Sequence, residues 1–163
     1  SEAPSLEDVV ISGVAIDRNQ TKVTVSDIPD KPGTAAEIFR ELGEAGIVVD
    51  MIVQNVGRGG KANLTFTVSK DDAAKAEKVL RAHCETIKGA TVSITGDIAK
   101  VSVIGTGMRS HSGVAAKFFR TLADNSINVQ IITTSEIKIS VGISLEDADA
   151  AANALHAAFA LDK

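Results

Sequence analysis

Hydrophobic and polar positions along this 163-residue chain fall into short runs of two periods. Residues 22–25 (KVTV) are β-branched and lead into SDIPDKPG, dense in turn formers, so a strand enters a loop there. From Gly33 the spacing changes: Ala35, Ile38, Phe39 and Leu42 share one helical face, and Glu37, Arg40, Glu41 and Glu44 take the other. Gly43 and Gly46 help to end that helix. Residues 47–56 (IVVDMIVQNV) and 62–68 (ANLTFTV) read as two strands of a hairpin around GRGGK. Ser69 with Asp72 makes a capping box before a second helix, whose Ala73, Ala76, Leu80 and Cys84 keep helical spacing. Residues 90–95 (ATVSIT) close the unit as a strand.

The order β-α-β-β-α-β predicts an α+β fold: a four-stranded antiparallel sheet with both helices on one face, the ferredoxin-like sandwich. The order then recurs. KVSV at 100–103 matches KVTV, and residues 113–132 (GVAAKFFRTLADNSINVQII) match 33–52 at an offset of 80. Residues 137–143 (IKISVGI) supply the next strand, Ser144 with Asp147 repeats the capping box, and Leu145, Ala148, Ala152, Leu155 and Phe159 line the last helix. Residues 160–163 are too short for a sixth element, whereas a surplus apolar run, VVISGVAI at 9–16, precedes the first strand. An unpaired sheet edge is a liability, so that run is expected to complete the second sheet. The first domain, 17–96, is then inserted into the second, 8–16 plus 97–163.

Composition removes several classes of function. Seventeen basic and 21 acidic residues give a net charge of −4 with no basic run, which argues against a phosphate-tracking nucleic-acid surface. With no Trp or Tyr and five Phe, the core is aliphatic and stacking platforms for bases are missing. One cysteine cannot form an internal disulfide, and neither a leader nor a run of about 18 apolar residues is seen. A cytoplasmic protein with no membrane span is expected.

The segments ISGVA (11–15), KVTV, DKPG (30–33), VDMIVQN (49–55), GMRSHSGVAA (107–116) and IITTSEIKISV (131–141), in this order and spacing, resemble the paired ACT domains of aspartate kinase. The likeness runs from Val9 onward and lacks that family's kinase domain and its phosphate motif. The chain is thus similar to a separate regulatory subunit or an excised regulatory region, with no catalytic residues, metal or cofactor of its own.

A free amino acid offers a carboxylate and an ammonium, and a helix start offers unpaired N–H groups and a positive dipole end. Gly33 and Gly113 sit at such starts, where a missing side chain admits a ligand to the backbone. Asp30 is placed to accept from an ammonium or hydroxyl, and Gln54 to bond a polar side chain. The resemblance points to the same loop and strand, Asp30, Lys31, Gly33, Thr34, Ala35, Gln54 and Asn55. It adds Asn128 and Val129, donated across an ACT–ACT interface, and Met108, Ser110, His111, Gly113, Ser135 and Glu136, with Glu136 facing a lysine ammonium. Plainer readings stand beside these: Pro32-Gly33 as a turn, Asp30 as a helix cap, Gln54 and Asn55 as a strand end. His83 and His156 have no second ligand at metal spacing, Cys84 reads as core, and GRGGK lacks the spacing of a phosphate loop.

Among three classes, an RNA-binding module would need exposed aromatics on its central strands, and an enzyme would need a convergent nucleophile, base or metal set. Neither is found. The resemblance implies an amino-acid sensor: a homodimer that binds threonine, lysine or both and imposes feedback inhibition on a catalytic aspartate kinase subunit. An ACT-type sensor for another biosynthetic enzyme is the alternative.

Overall fold

β-Branched residues carry the first strand much further than the local pattern predicts. In the computed structural model, which describes residues 10–106 and 112–159, β1 runs unbroken through Val10–Pro29. β4 likewise spans Thr91–Thr106, joining two runs that the sequence presents as separate. Asp17, Arg18 and Asn19 do not interrupt β1, because all three side chains are exposed and the extended backbone continues beneath them. The chain divides into two compact units, Asn19–Asp97 and Ser1–Arg18 with Ile98–Lys163. We call them the central and the split unit.

The central unit holds α1 (Thr34–Glu44), β2 (Ile52–Val56), β3 (Lys61–Val68) and α2 (Ala73–Cys84) between the second part of β1 and the first part of β4. Its strand order is β2-β3-β1-β4. β3 pairs antiparallel with β1 (Thr21 opposite Val68, Val25 opposite Leu64) and with β2 (Ile52 opposite Phe66, Val56 opposite Ala62). Side chains directly opposite each other share a face. Val23, Val25, Leu64 and Phe66 therefore form one apolar layer, closed by Ile38 and Leu42 of α1 and Ala76 and Leu80 of α2. Phe39 meets Phe66 edge-on at 5.6 Å between centroids. Cys84 is buried in the same core, which pushes its thiol pKa up.

Residues 47–51 correct the expected strand. Only residues 52–56 form a ladder; ahead of them Thr67 accepts the Asp50 N–H on its carbonyl at 3.0 Å and the Met51 N–H on its hydroxyl at 3.1 Å. A side chain thus takes a bond that regular pairing would make, and Val48 is left 77% exposed. The Ser69 cap forms, with Oγ accepting from the Asp72 N–H at 3.3 Å, but it opens a 3-10 turn (Lys70–Asp72) that then continues into α2.

The split unit holds α3 (Ser112–Asp124), β5 (Val129–Thr134), β6 (Lys138–Ser144) and α4 (Ala148–Ala158), with strand order β5-β6-β4-β1. Val101, Val103, Val141 and Ile143 pack under Phe118 and Leu122 of α3 and Ala151 and Leu155 of α4. Ile11, Val14 and Ile16 of β1 are partly buried against this same cluster, and Arg18 pairs with Asp149 of α4. On the opposite face the Ser102 and Ser140 hydroxyls, both buried, share a 2.6 Å hydrogen bond. A Cβ on Gly142 would meet Ile131 Cγ2 at 2.5 Å and Ile98 Cδ1 at 2.8 Å, which accounts for glycine there. Ser144 departs from its expected role: it makes no cap bond, and its hydroxyl accepts from Gln130 Nε2 at 3.2 Å on β5. Both units have the βαββαβ ferredoxin-like arrangement expected for paired domains of this class. No described helix is long and apolar enough to cross a membrane.

Candidate functional site

β1 ends at Pro29, and the loop that follows is tied down at once, the Asp30 N–H donating to the Gly60 carbonyl at 2.8 Å in the hairpin turn. Gly33 is the N-cap of α1, at φ 94° and ψ −19°, a left-handed conformation that glycine adopts freely. Its carbonyl accepts the first helical bond, from the Glu37 N–H at 3.0 Å. No side chain caps the N–H groups of the first turn, so Asp30 is not a helix cap. Asp30, Lys31 and Gly33 are all exposed.

The expected residues sort into two neighbourhoods. Lys31, Gly33 and Thr34 line a cavity of about 590 Å³ together with Lys61, His83 and Lys88. Asp30, Ala35, Gln54 and Asn55 do not line it. Ala35 is half-buried against the central core. Gln54 lies opposite Leu64, hence on the helix-covered face, while Asn55 lies opposite Asn63 on the other. Both are exposed, on the strand at the edge of the unit's sheet. Because Ile28 and Val56 both face Ala62, the ends of β1 and β2 and the start of α1 occupy one end of the sheet. Gln54 therefore flanks the helix start from the edge side, and the cavity flanks it from the α2 side. Lys61, His83 and Lys88 went unrecognised in the sequence. Lys61 closes the GRGGK turn, read there only as a hairpin, His83 lies in the last turn of α2, and Lys88 follows that helix.

Local electrostatics are set by short-range pairs. Arg40 donates to Glu37 at 2.8 Å and to Glu44 at 2.9 Å, and this hydrogen bond and charge hold the Glu37 carboxyl below the ordinary carboxylate range. His83 Nδ1 lies 3.3 Å from the Glu41 carboxylate, a half-buried contact between α2 and α1. Among the described residues no group of His, Cys, Asp or Glu is arranged to hold a metal ion.

In the split unit, Gly113 is half-buried in the first turn of α3, the counterpart of the α1 start. Met108, Ser110 and His111 lie outside the described residues. Ser135 and Glu136 form the β5–β6 turn, where the Ser135 N–H donates to the Lys138 carbonyl at 2.8 Å and Ser135 Oγ accepts from the Ile137 N–H at 3.4 Å. Glu136 is exposed. Asn128 is exposed just before β5, and Val129, the first residue of this edge strand, packs partly against its own core.

Known proteins share this architecture and much of the sequence. Family models described as ACT domain match residues 23–88 and 101–159. An aspartate kinase of Pseudomonas fluorescens (strain SBW25) is 45% identical over 161 residues, covering 99% of this chain and 39% of that protein. The chain thus spans about two fifths of the length of the curated relatives it matches. The ligand-free regulatory subunit of aspartate kinase from Thermus thermophilus superposes with a TM-score of 0.86 at 42% identity, over 92% of this chain and 99% of that one. A structure of aspartokinase alpha and beta subunits gives a TM-score of 0.83 at 46% identity, again over 92% and 99%.

Proposed function

The chain belongs to the aspartate kinase regulatory family and carries two ACT domains, and on that premise we propose that it is a sensor of free threonine, lysine or both. The observation that carries this reading is the uncapped start of α1 at Gly33. The effector carboxylate takes the N–H groups of the first turn, which favour an anion through both hydrogen bonding and the helix dipole. Asp30 accepts from the ammonium or a threonine hydroxyl, and Gln54 approaches from the sheet edge. Lys31, Thr34, Ala35 and Asn55 frame the loop and strand. In the second domain Gly113 supplies the equivalent helix start and Glu136 a carboxylate suited to a lysine ammonium, with Met108, Ser110, His111, Asn128, Val129 and Ser135 around them. Carbon backbones ending in a cation or a hydroxyl are thereby told apart by Glu136 and by Asp30 with Gln54.

The domains divide, in this proposal, at 17–96 and at 8–16 plus 97–163, the first inserted in the second. Two copies pair as a cytoplasmic homodimer. Each unit ends in an edge strand with exposed apolar residues, Ile52 and Val56 on β2 and Ile132 on β5, and pairing with a second copy removes them from water. Effector binding favours one arrangement of the paired domains, and a catalytic aspartate kinase subunit coupled to that arrangement loses activity. Feedback inhibition is thus a differential affinity for two arrangements. Light scattering at micromolar concentration with saturating threonine and lysine is expected to give twice the chain mass. A monomer under those conditions would refute the paired arrangement.

A further inference from the structure

The cavity between the start of α1 and the end of α2 is lined by more basic side chains than one amino-acid carboxylate can engage. Lys31, Lys61 and Lys88 line its 590 Å³ from three separate segments, the loop after β1, the start of β3 and the chain after α2. None of the three forms an ion pair among the described residues, whereas Lys70 and Lys75 elsewhere in the unit pair with Asp97 and Asp72. One carboxylate, Glu37, reaches the cavity, and Arg40 already engages it at 2.8 Å. Three lysines without an ion-pair partner among the described residues favour a multiply charged anion over a single carboxylate. The volume falls in the usual range for small-molecule sites, roughly 300–1,000 Å³. Pro29, Pro32 and Ile87 give it an apolar wall for an organic portion.

We propose that this cavity also takes a small phosphate-bearing molecule, at a site that shares Lys31, Gly33 and Thr34 with the amino-acid site and extends from them to Lys61 and Lys88. The ligand's phosphate oxygens accept charge-assisted hydrogen bonds from the three ammonium groups, and its carbon portion lies against the proline and isoleucine wall. The proposal is carried by Lys61 and Lys88, which the amino-acid reading does not use, while both readings share Lys31, Gly33 and Thr34. In the full chain at low salt, inorganic pyrophosphate titrated by calorimetry and by amide NMR shifts should bind saturably at one site, with shifts centred on residues 31, 61 and 86–88. The double variant Lys61→Gln/Lys88→Gln spares every residue of the amino-acid site. It should weaken pyrophosphate by about tenfold or more and leave threonine and lysine titrations unchanged. Lys78→Gln, on the exposed face of α2, should leave pyrophosphate affinity unchanged. Absence of saturable binding, or affinity lost equally in Lys78→Gln and the double variant, would overturn the site. Threonine and lysine titrations of the parent chain separate this outcome from failure of the amino-acid reading.

Discussion

Replacing Gly33 by Asp is expected to lower threonine and lysine affinity by roughly tens- to thousands-fold, from the loss of about 2 to 5 kcal/mol of charge-assisted hydrogen bonding. A Cβ at Gly33 meets no protein atom within 4 Å, so the effect falls on the ligand rather than on packing. The new carboxylate stands at an N-cap with free N–H groups, which it can itself cap, filling the place of the effector carboxylate. The left-handed φ costs an L-residue about 1–2 kcal/mol, tolerable beside a core in which Ile38 and Leu42 stay buried. Gln54→Ala should act more mildly, since it removes one side-chain contact and leaves the helix start intact. Calorimetry on the parent and both variants, with circular dichroism to confirm folding, checks the order. If both bind as tightly as the parent, the DKPG loop is only a turn.

Deleting residues 9–16 should unfold or aggregate the split unit while leaving the central unit folded. The deletion removes Ile11, Val14 and Ile16 from a core they partly cover, and exposes the edge of β4 that β1 now protects. Each fully buried aliphatic side chain is worth about 1.5–3 kcal/mol, so three partly buried ones amount to several kcal/mol. A small domain has about 5–15 kcal/mol in total. Limited proteolysis followed by mass spectrometry should show cleavage spread through residues 98–159, with 19–97 resistant. Retention of the parent's thermal stability would contradict the nested arrangement.

What could be read from the sequence was local or repeated. The helix over residues 34–44, its end near Gly46 at φ 75°, and the glycine turn at 57–61 follow from spacing and turn chemistry that neighbours do not alter. Repetition at an offset of 80 then carried the architecture to the second half. Losses came where distant groups compete for the same atoms. The Thr67 hydroxyl takes the Met51 N–H just ahead of β2, and Gln130 donates to the Ser144 hydroxyl, which makes no cap bond. Nothing near either residue in sequence signals the competitor. The strands β1 and β4 run on through Asp17–Asn19 and Gly96–Asp97, where the composition reads as loop but the two halves of each strand belong to different units. The start of α1 at Gly33 was legible because a Pro-Gly turn there precedes a helical pattern. The lysine-lined cavity was not legible, because its three lysines come to line one cavity only once α2 has folded back beside the start of α1.

The central claim is that this chain recognises a free amino acid, and calorimetric titration of the purified chain with threonine and with lysine, each separately and then together, tests it most directly. Saturable heat for at least one of them, with affinity weakened about tenfold or more in Gly33→Asp and retained in Lys61→Gln/Lys88→Gln, is the result expected. A folded chain that gives no saturable heat with either amino acid at millimolar concentration would contradict it.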